Sequence, residues 1–187
     1  MPYLSAAVVL IGVLCLVNLL LTFGVVRRLR QQGGEPHDHG GGDSARPRLL
    51  APGRTVGDFA ASTTEGRPFG RETFGDGTLV GVFMTGCWPC QDLLPEFAER
   101  ARDAVGDPDR VVAVVATVDG EHAEDYVERL SGVARVLVER DGGPVLRAFE
   151  ASSYPALYVV DAGGVVAAAG IRFADLDGAL SRTASAP

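Results

Sequence analysis

Two cysteines, Cys87 and Cys90, stand two residues apart in the stretch GCWPCQ, with Trp88 and Pro89 between them. Thiols at this spacing can bind a metal, close a disulfide, or exchange electrons with another molecule. A structural bridge over so short a loop restricts the unfolded chain little and so stabilises little. A structural zinc site takes four ligands, whereas the chain has one such pair, and His37, His39 and His122 are far from it in sequence. The remaining cysteine, Cys15, lies in an apolar run near the N-terminus, which leaves the pair self-contained. No metal is expected, and redox chemistry is the reading the spacing favours.

That chemistry needs a particular placement. Residues 78–84 (TLVGVFM) form a continuous apolar run, the pattern of a strand buried on both faces. After the pair, Leu93, Leu94, Phe97, Ala98 and Ala101 recur at helical spacing. The cysteines therefore fall at a strand-to-helix junction. Unsatisfied amides and the positive end of the helix dipole stabilise a thiolate there. Cys87 is placed to attack a disulfide. Cys90, close to one turn later, is placed to displace the captured sulfur. Pro89 suits a first helical turn because it has no N–H to leave unpaired; Pro95, inside the helix, is expected to kink it.

The following elements alternate. Residues 111–117 (VVAVVAT) read as a second buried strand, and Ala123, Tyr126, Val127 and Leu130 as an amphipathic helix begun by Asp119 and ended by Gly132. Residues 136–138 are a short strand or a connector, and Pro144 opens a short helix through Phe149. Residues 156–160 and 165–169 flank the turn Asp161-Ala162-Gly163-Gly164 as a β-hairpin. A closing helix is expected over 173–180, weakened by Gly178. The fold class is α/β.

Composition narrows the partners. In 187 residues, 47% of them hydrophobic, there is room for one domain and an appendage. Residues 1–48 carry five arginines against three acids and residues 49–187 twelve against twenty-one, so the folded part is acidic. Nucleic acid, whose binding rests on neutralised phosphates, is not expected as a partner. The chain has no lysine, which removes Schiff-base chemistry.

From Leu4 to Val26 the chain is uncharged and apolar. As a helix it reaches roughly 35 Å, enough for a bilayer core. Residues 1–30 are read as an uncleaved transmembrane anchor with a basic flank, residues 31–48 (QQGGEPHDHGGGDSARPR) as a flexible linker, and residues 49–187 as the folded domain. Arg27, Arg28 and Arg30 follow the span with no cation before it, which by the positive-inside rule points the domain toward the cytoplasm.

The element order, Cys87-Trp88-Pro89-Cys90 at its junction, Pro95 in the next helix and Tyr154-Pro155 ahead of the hairpin together resemble the thioredoxin superfamily. The runs APGRTVGDFAASTTEGRPF and LVGVFMTGCWPCQDLLPEF are similar to its membrane-tethered TlpA-like and redoxin (AhpC/TSA-type) branch, methylamine-utilisation thioredoxins included, over residues 49–182. The resemblance implies a thioredoxin-like three-layer α/β/α fold with a mixed central sheet. It implies Cys87 as nucleophile, Cys90 as resolving thiol, a redox-active Cys87–Cys90 disulfide with no further cofactor, and Pro155 as a cis-proline. Trp88, Pro89, Tyr154 and Pro155 would contact an extended client segment.

Two features depart from the pattern. Tyr154 stands where a smaller side chain is usual, and residues 79–84 lack the acid usually found beneath the resolving cysteine; Glu121 is a candidate replacement. The expected function is a membrane-anchored thiol–disulfide oxidoreductase, reductase direction favoured, with protein disulfide or dithiol clients and a membrane electron donor. Such proteins generally face the exocytoplasmic side, against the arginine signal. Two alternatives stand beside it. A redoxin-type peroxidase is disfavoured because Val80 and Met84 occupy the Pro and Thr positions of the peroxidatic pattern. A redox-silent maturation or binding module lacks the wider cysteine spacing and the late histidine of copper carriers.

Overall fold

The computed structural model describes residues 49–105, 107–118 and 123–184, together with Gly12. The chain divides into two units, Met1–Ser44 and Ala45–Pro187, and the fold described is that of the second. Among the described residues no helix is long and apolar enough to cross a membrane. Apart from Gly12, the expected span from Leu4 to Val26 lies outside them, as do the linker, Asp119, Glu121 and His122.

Among the described residues, seven strands and four helices follow in chain order: β1 (Ala60–Ser62), β2 (Pro68–Gly70), β3 (Thr78–Met84), α1 (Trp88–Arg100), β4 (Val111–Thr117), α2 (Ala123–Leu130), β5 (Arg135–Arg140), α3 (Pro144–Ala148), β6 (Ala156–Asp161), β7 (Val165–Gly170) and α4 (Asp177–Ala184). Five strands make one sheet in the order β5-β4-β3-β6-β7, and β1 and β2 pair separately. The neighbours β3, β4 and β5 are parallel, while β6 runs antiparallel to both β3 and β7. Parallel neighbours require crossovers, which α1 and α2 supply. The antiparallel pair β6 and β7 is joined by a tight turn in which Gly163 and Gly164 take φ of 75° and 83°, conformations open to glycine without strain.

Alternation along the strands sorts the core into two layers. Leu79 and Phe83 of β3, with Val111, Ala113 and Val115 of β4, pack against α1, α2 and the closing segment. Val80 and Val82, with Val112, Val114 and Ala116, pack on the other face against α3, Phe69, Phe74 and Phe149. Both central strands are buried on both faces, the physical reason for their unbroken apolar sequence. The sheet edges are covered as well. Backbone bonds tie Gly53, Arg54 and Val56 to the β7 end, and Thr64 N–H donates to the Val136 carbonyl of β5 at 2.8 Å, which blunts edge pairing with other chains.

Two expectations change in detail. The segment at 136–138 is a full six-residue strand, Arg135–Arg140, whose charged ends sit at the sheet edge and so hid its length. The closing element divides into a 3₁₀ turn, Phe173–Asp175, and helix α4; the Asp175 carboxylate accepts the Ile171 and Arg172 amides at 3.2 Å each and holds that turn. Helix α1 continues through the exposed Pro95 to Arg100 and passes into a π-helical turn, Ala101–Val105.

Close approach of α1 to β3 depends on Gly81. A Cβ there would lie 2.5 Å from a Phe97 ring carbon and 2.8 Å from one of Phe83. Those rings stack edge-to-face, 5.1 Å between centroids, and both are fully buried. Gly81→Ala overpacks this contact and is expected to destabilise the domain by about 1–3 kcal/mol, read as a lower denaturant midpoint at unchanged slope; an unchanged midpoint would show that α1 has room to move.

Candidate active site

The site is built where β3 ends. Thr85 N–H donates to the Ala116 carbonyl at 2.9 Å, Gly86 turns the chain at φ 74°, and Cys87, with extended φ −84° and ψ 111°, is the N-cap of α1. Its sulfur takes the place that a serine or aspartate oxygen fills in an ordinary cap: Cys90 N–H donates to Cys87 Sγ at 3.3 Å. Pro89 occupies the first turn, where its missing N–H leaves nothing unsatisfied. Cys87 is half-buried and Cys90 fully buried. The two are disulfide-bonded, Cα atoms 5.3 Å apart.

Tyr126 of α2 supplies a contact that sequence reasoning did not assign, having counted it as a core position. Its hydroxyl donates to the Met84 carbonyl at 3.2 Å, and that oxygen also accepts the Cys87 N–H at 3.3 Å. Both lone pairs of the carbonyl are thereby used. Burial pushes the Tyr126 phenol up from its ordinary value, with Arg129 opposing, so it stays protonated and donating.

The Tyr154–Pro155 peptide bond is cis. Pro155 is buried, Tyr154 half-buried. The Tyr154 hydroxyl donates to Asp141 Oδ1 at 2.7 Å. Burial foremost, then this bond to a carboxylate, pushes the phenol well above its ordinary range. Trp88 is 71% exposed. Trp88, Pro89, Leu93, Tyr154, Pro155 and Ile171 line a mainly apolar groove of about 660 Å³ running beside the first turn of α1. The structure thus brings the tryptophan, both prolines and the tyrosine to one surface.

Buried polar side chains among the described residues are Thr63, Thr78 and Thr117, so no described carboxylate is sealed beneath Cys90. Glu139 is half-buried at β5 and occupied elsewhere, accepting the Val145 and Leu146 amides at 3.1 and 2.7 Å at the start of α3; burial raises its pKa. Among the described residues no group of three or more His, Cys, Asp or Glu is arranged to hold a metal ion.

This architecture is the thioredoxin fold: a mixed five-stranded sheet between helical layers, with a C-x-x-C pair opening the helix after β3. Solved structures that share it include the thioredoxin domain of a thiol-disulfide oxidoreductase from Bacteroides vulgatus, at 18% identity and TM-score 0.57 over 73% of this chain and 99% of that one. A thiol:disulfide interchange protein from Bacteroides sp. matches at 19% and 0.56, over 73% and 92%. A thio-disulfide isomerase from Thermus thermophilus matches at 21% and 0.55, over 74% and 99%. No protein-family model and no curated protein matches the chain. The likenesses define the fold alone.

Removing the Tyr126 hydroxyl leaves the Met84 carbonyl, which also accepts the Cys87 amide, with less of its negative partial charge compensated at the junction, and this favours thiol over thiolate at Cys87. In a Cys15→Ser, Cys90→Ser background, Tyr126→Phe is expected to slow alkylation of Cys87 about 3-fold near pH 6, with the two rates converging well above the thiol pKa. Superimposable pH profiles would show that Tyr126 acts on stability alone.

Proposed function

We propose that this chain is a membrane-anchored thiol–disulfide oxidoreductase acting on protein clients, with reduction the favoured direction. The observation that carries the reading is the inequality of the two sulfurs: Cys87 caps α1 and is half-buried, one residue before Trp88 of the groove that Tyr154 and Pro155 also line, while Cys90 is fully buried. The solved structures sharing the fold include thiol–disulfide oxidoreductases and interchange proteins, which supports the same chemistry here.

In the reducing direction the Cys87 thiolate attacks one sulfur of a client disulfide. A Cys87–client bond forms, the client S–S bond breaks, and the released client thiolate takes a proton from water. Cys90, as thiolate, then attacks Cys87 Sγ, expelling the second client thiolate and closing Cys87–Cys90. Two electrons pass from chain to client. Resetting the pair requires a dithiol donor, for which a membrane protein is the fitting class, and no cofactor beyond the cysteines is needed. Pro89 places no cation beside the pair to favour an oxidant, hence the reducing direction. A client strand would lie against the Tyr154 backbone by strand addition.

The uncharged run from Leu4 to Val26 supports the anchor, and tethering suits a catalytic domain on the exocytoplasmic face served across the bilayer.

Cys90→Ser in the full chain is expected to accumulate mixed disulfides through Cys87 that dissolve with reductant and vanish in Cys87→Ser; no trapped protein would overturn the reading. In intact cells an impermeant thiol reagent is expected to label reduced Cys87, and protection until lysis would reverse the orientation.

A further inference from the structure

The groove beside Cys87 has charges of opposite sign on its two walls. Asp92 and Glu96 stand on the α1 wall, and Arg172, in the turn after β7, stands on the other; Leu93, Pro155 and Ile171 lie among the apolar groups between. Asp92 and Glu96 are four residues apart on one helix, a like-charge spacing that weakens a helix by about 0.2–0.5 kcal/mol. Glu96 reaches Arg100 only at 3.9 Å, with both side chains largely in solvent, and Arg100 is also engaged by Asp177 at 3.2 Å. Among the described residues neither Asp92 nor Arg172 has an ion-pair partner. The fold therefore gains nothing visible from Asp92 and only one long, half-exposed ion pair from Glu96, yet both acids line a concave apolar surface that begins at Trp88, the residue after Cys87.

We infer that this groove selects client segments in which an apolar residue neighbours the reactive cysteine and an arginine or lysine follows or precedes it by two to four positions. The reach is set by geometry. At 1.5 Å per residue, Asp92 and Glu96 lie about 8 and 14 Å along α1 from Cys87. An extended segment rising about 3.3 Å per residue covers those distances in about two to four residues. A cation there meets one or both carboxylates beside low-dielectric walls, where attraction exceeds that in open water. The acidic balance of residues 49–187, twelve arginines against twenty-one acids, adds long-range attraction of the same sign. Arg172 on the far wall repels a cation entering from that side and so favours one orientation of the bound strand.

This specificity rests on the oxidoreductase reading and is testable apart from it. The full-length chain in detergent, reduced with dithiothreitol and freed of excess, is mixed with peptides carrying one cysteine as a mixed disulfide with 2-mercaptoethanol. The peptides have leucine beside the cysteine and either arginine or glutamate three residues away, placed on each side in turn. With the better placement the arginine peptide is expected to react at least 5-fold faster at about 50 mM salt, and the gap to narrow at about 500 mM, where surface charges are screened. In the double variant Asp92→Asn, Glu96→Gln the ratio is expected to approach one. Equal rates for arginine and glutamate peptides in the unaltered chain overturn the inference, as does a ratio retained by the double variant. No reaction with any peptide or with bis(2-hydroxyethyl) disulfide overturns the oxidoreductase reading itself.

Discussion

A hydrogen bond from the Cys90 amide to the Cys87 sulfur is the interaction on which the arrangement turns, because it exists only if Cys87 is the cap of α1 and not its first helical residue. The asymmetry between the thiols then follows from helical periodicity. Cys90, Leu94, Phe97 and Ala98 make up the buried face of α1, so the second cysteine falls on the stripe the core consumes. Cys87, one turn earlier and outside the helix, falls off it. A half-buried first sulfur and a fully buried second one are consequences of one amphipathic helix being laid on β3.

Holding that helix is the task of the surrounding elements. Phe97 stacks between Phe83 of the sheet and Phe173 of the closing segment, with centroids 5.1 and 6.3 Å away. Full burial of such a ring contributes about 1.5–3 kcal/mol. Gly81 lets the ring sit directly on the strand. The junction loop is fixed by bonds to its neighbours: Thr85 to β4, and the Met84 carbonyl to Tyr126. A thiolate-stabilising cap needs this rigidity, since aligned amides help an anion only when they do not have to be reoriented.

Much of the scaffold was legible because burial on both faces leaves a plain mark. The runs at 78–84 and 111–117 are continuous apolar stretches that became β3 and β4 with the same bounds. The edge strand β5 was not, since Arg135, Glu139 and Arg140 interrupt the apolar pattern. In the site, cysteine spacing and a helical stripe pointed to the sulfurs, whereas polar partners did not show. Tyr126 answers a carbonyl 42 residues away and Asp141 a phenol 13 residues away. Such bonds join one side chain to a backbone or loop position that only the folded sheet brings near. The cis bond at Pro155 came from resemblance, because X–Pro energetics alone favour trans.

The two walls of the groove are held very differently. Its far wall is Tyr154, held at its backbone by the buried Pro155 that leads into β6 and at its hydroxyl by Asp141. Asp141 is in turn tied to the sheet, its N–H donating to the Thr117 carbonyl at 2.9 Å, and Glu139 two residues earlier anchors the start of α3. The tyrosine ring is thus braced from two strands. Its neighbour across the groove, Trp88, is the opposite case, 71% exposed on the first turn of α1. A braced wall keeps the entropy lost on binding small, while an exposed indole offers apolar area that gains by being covered. The selectivity proposed for this groove therefore rests on the charges of its walls, of which Asp92 and Arg172 have no ion-pair partner among the described residues.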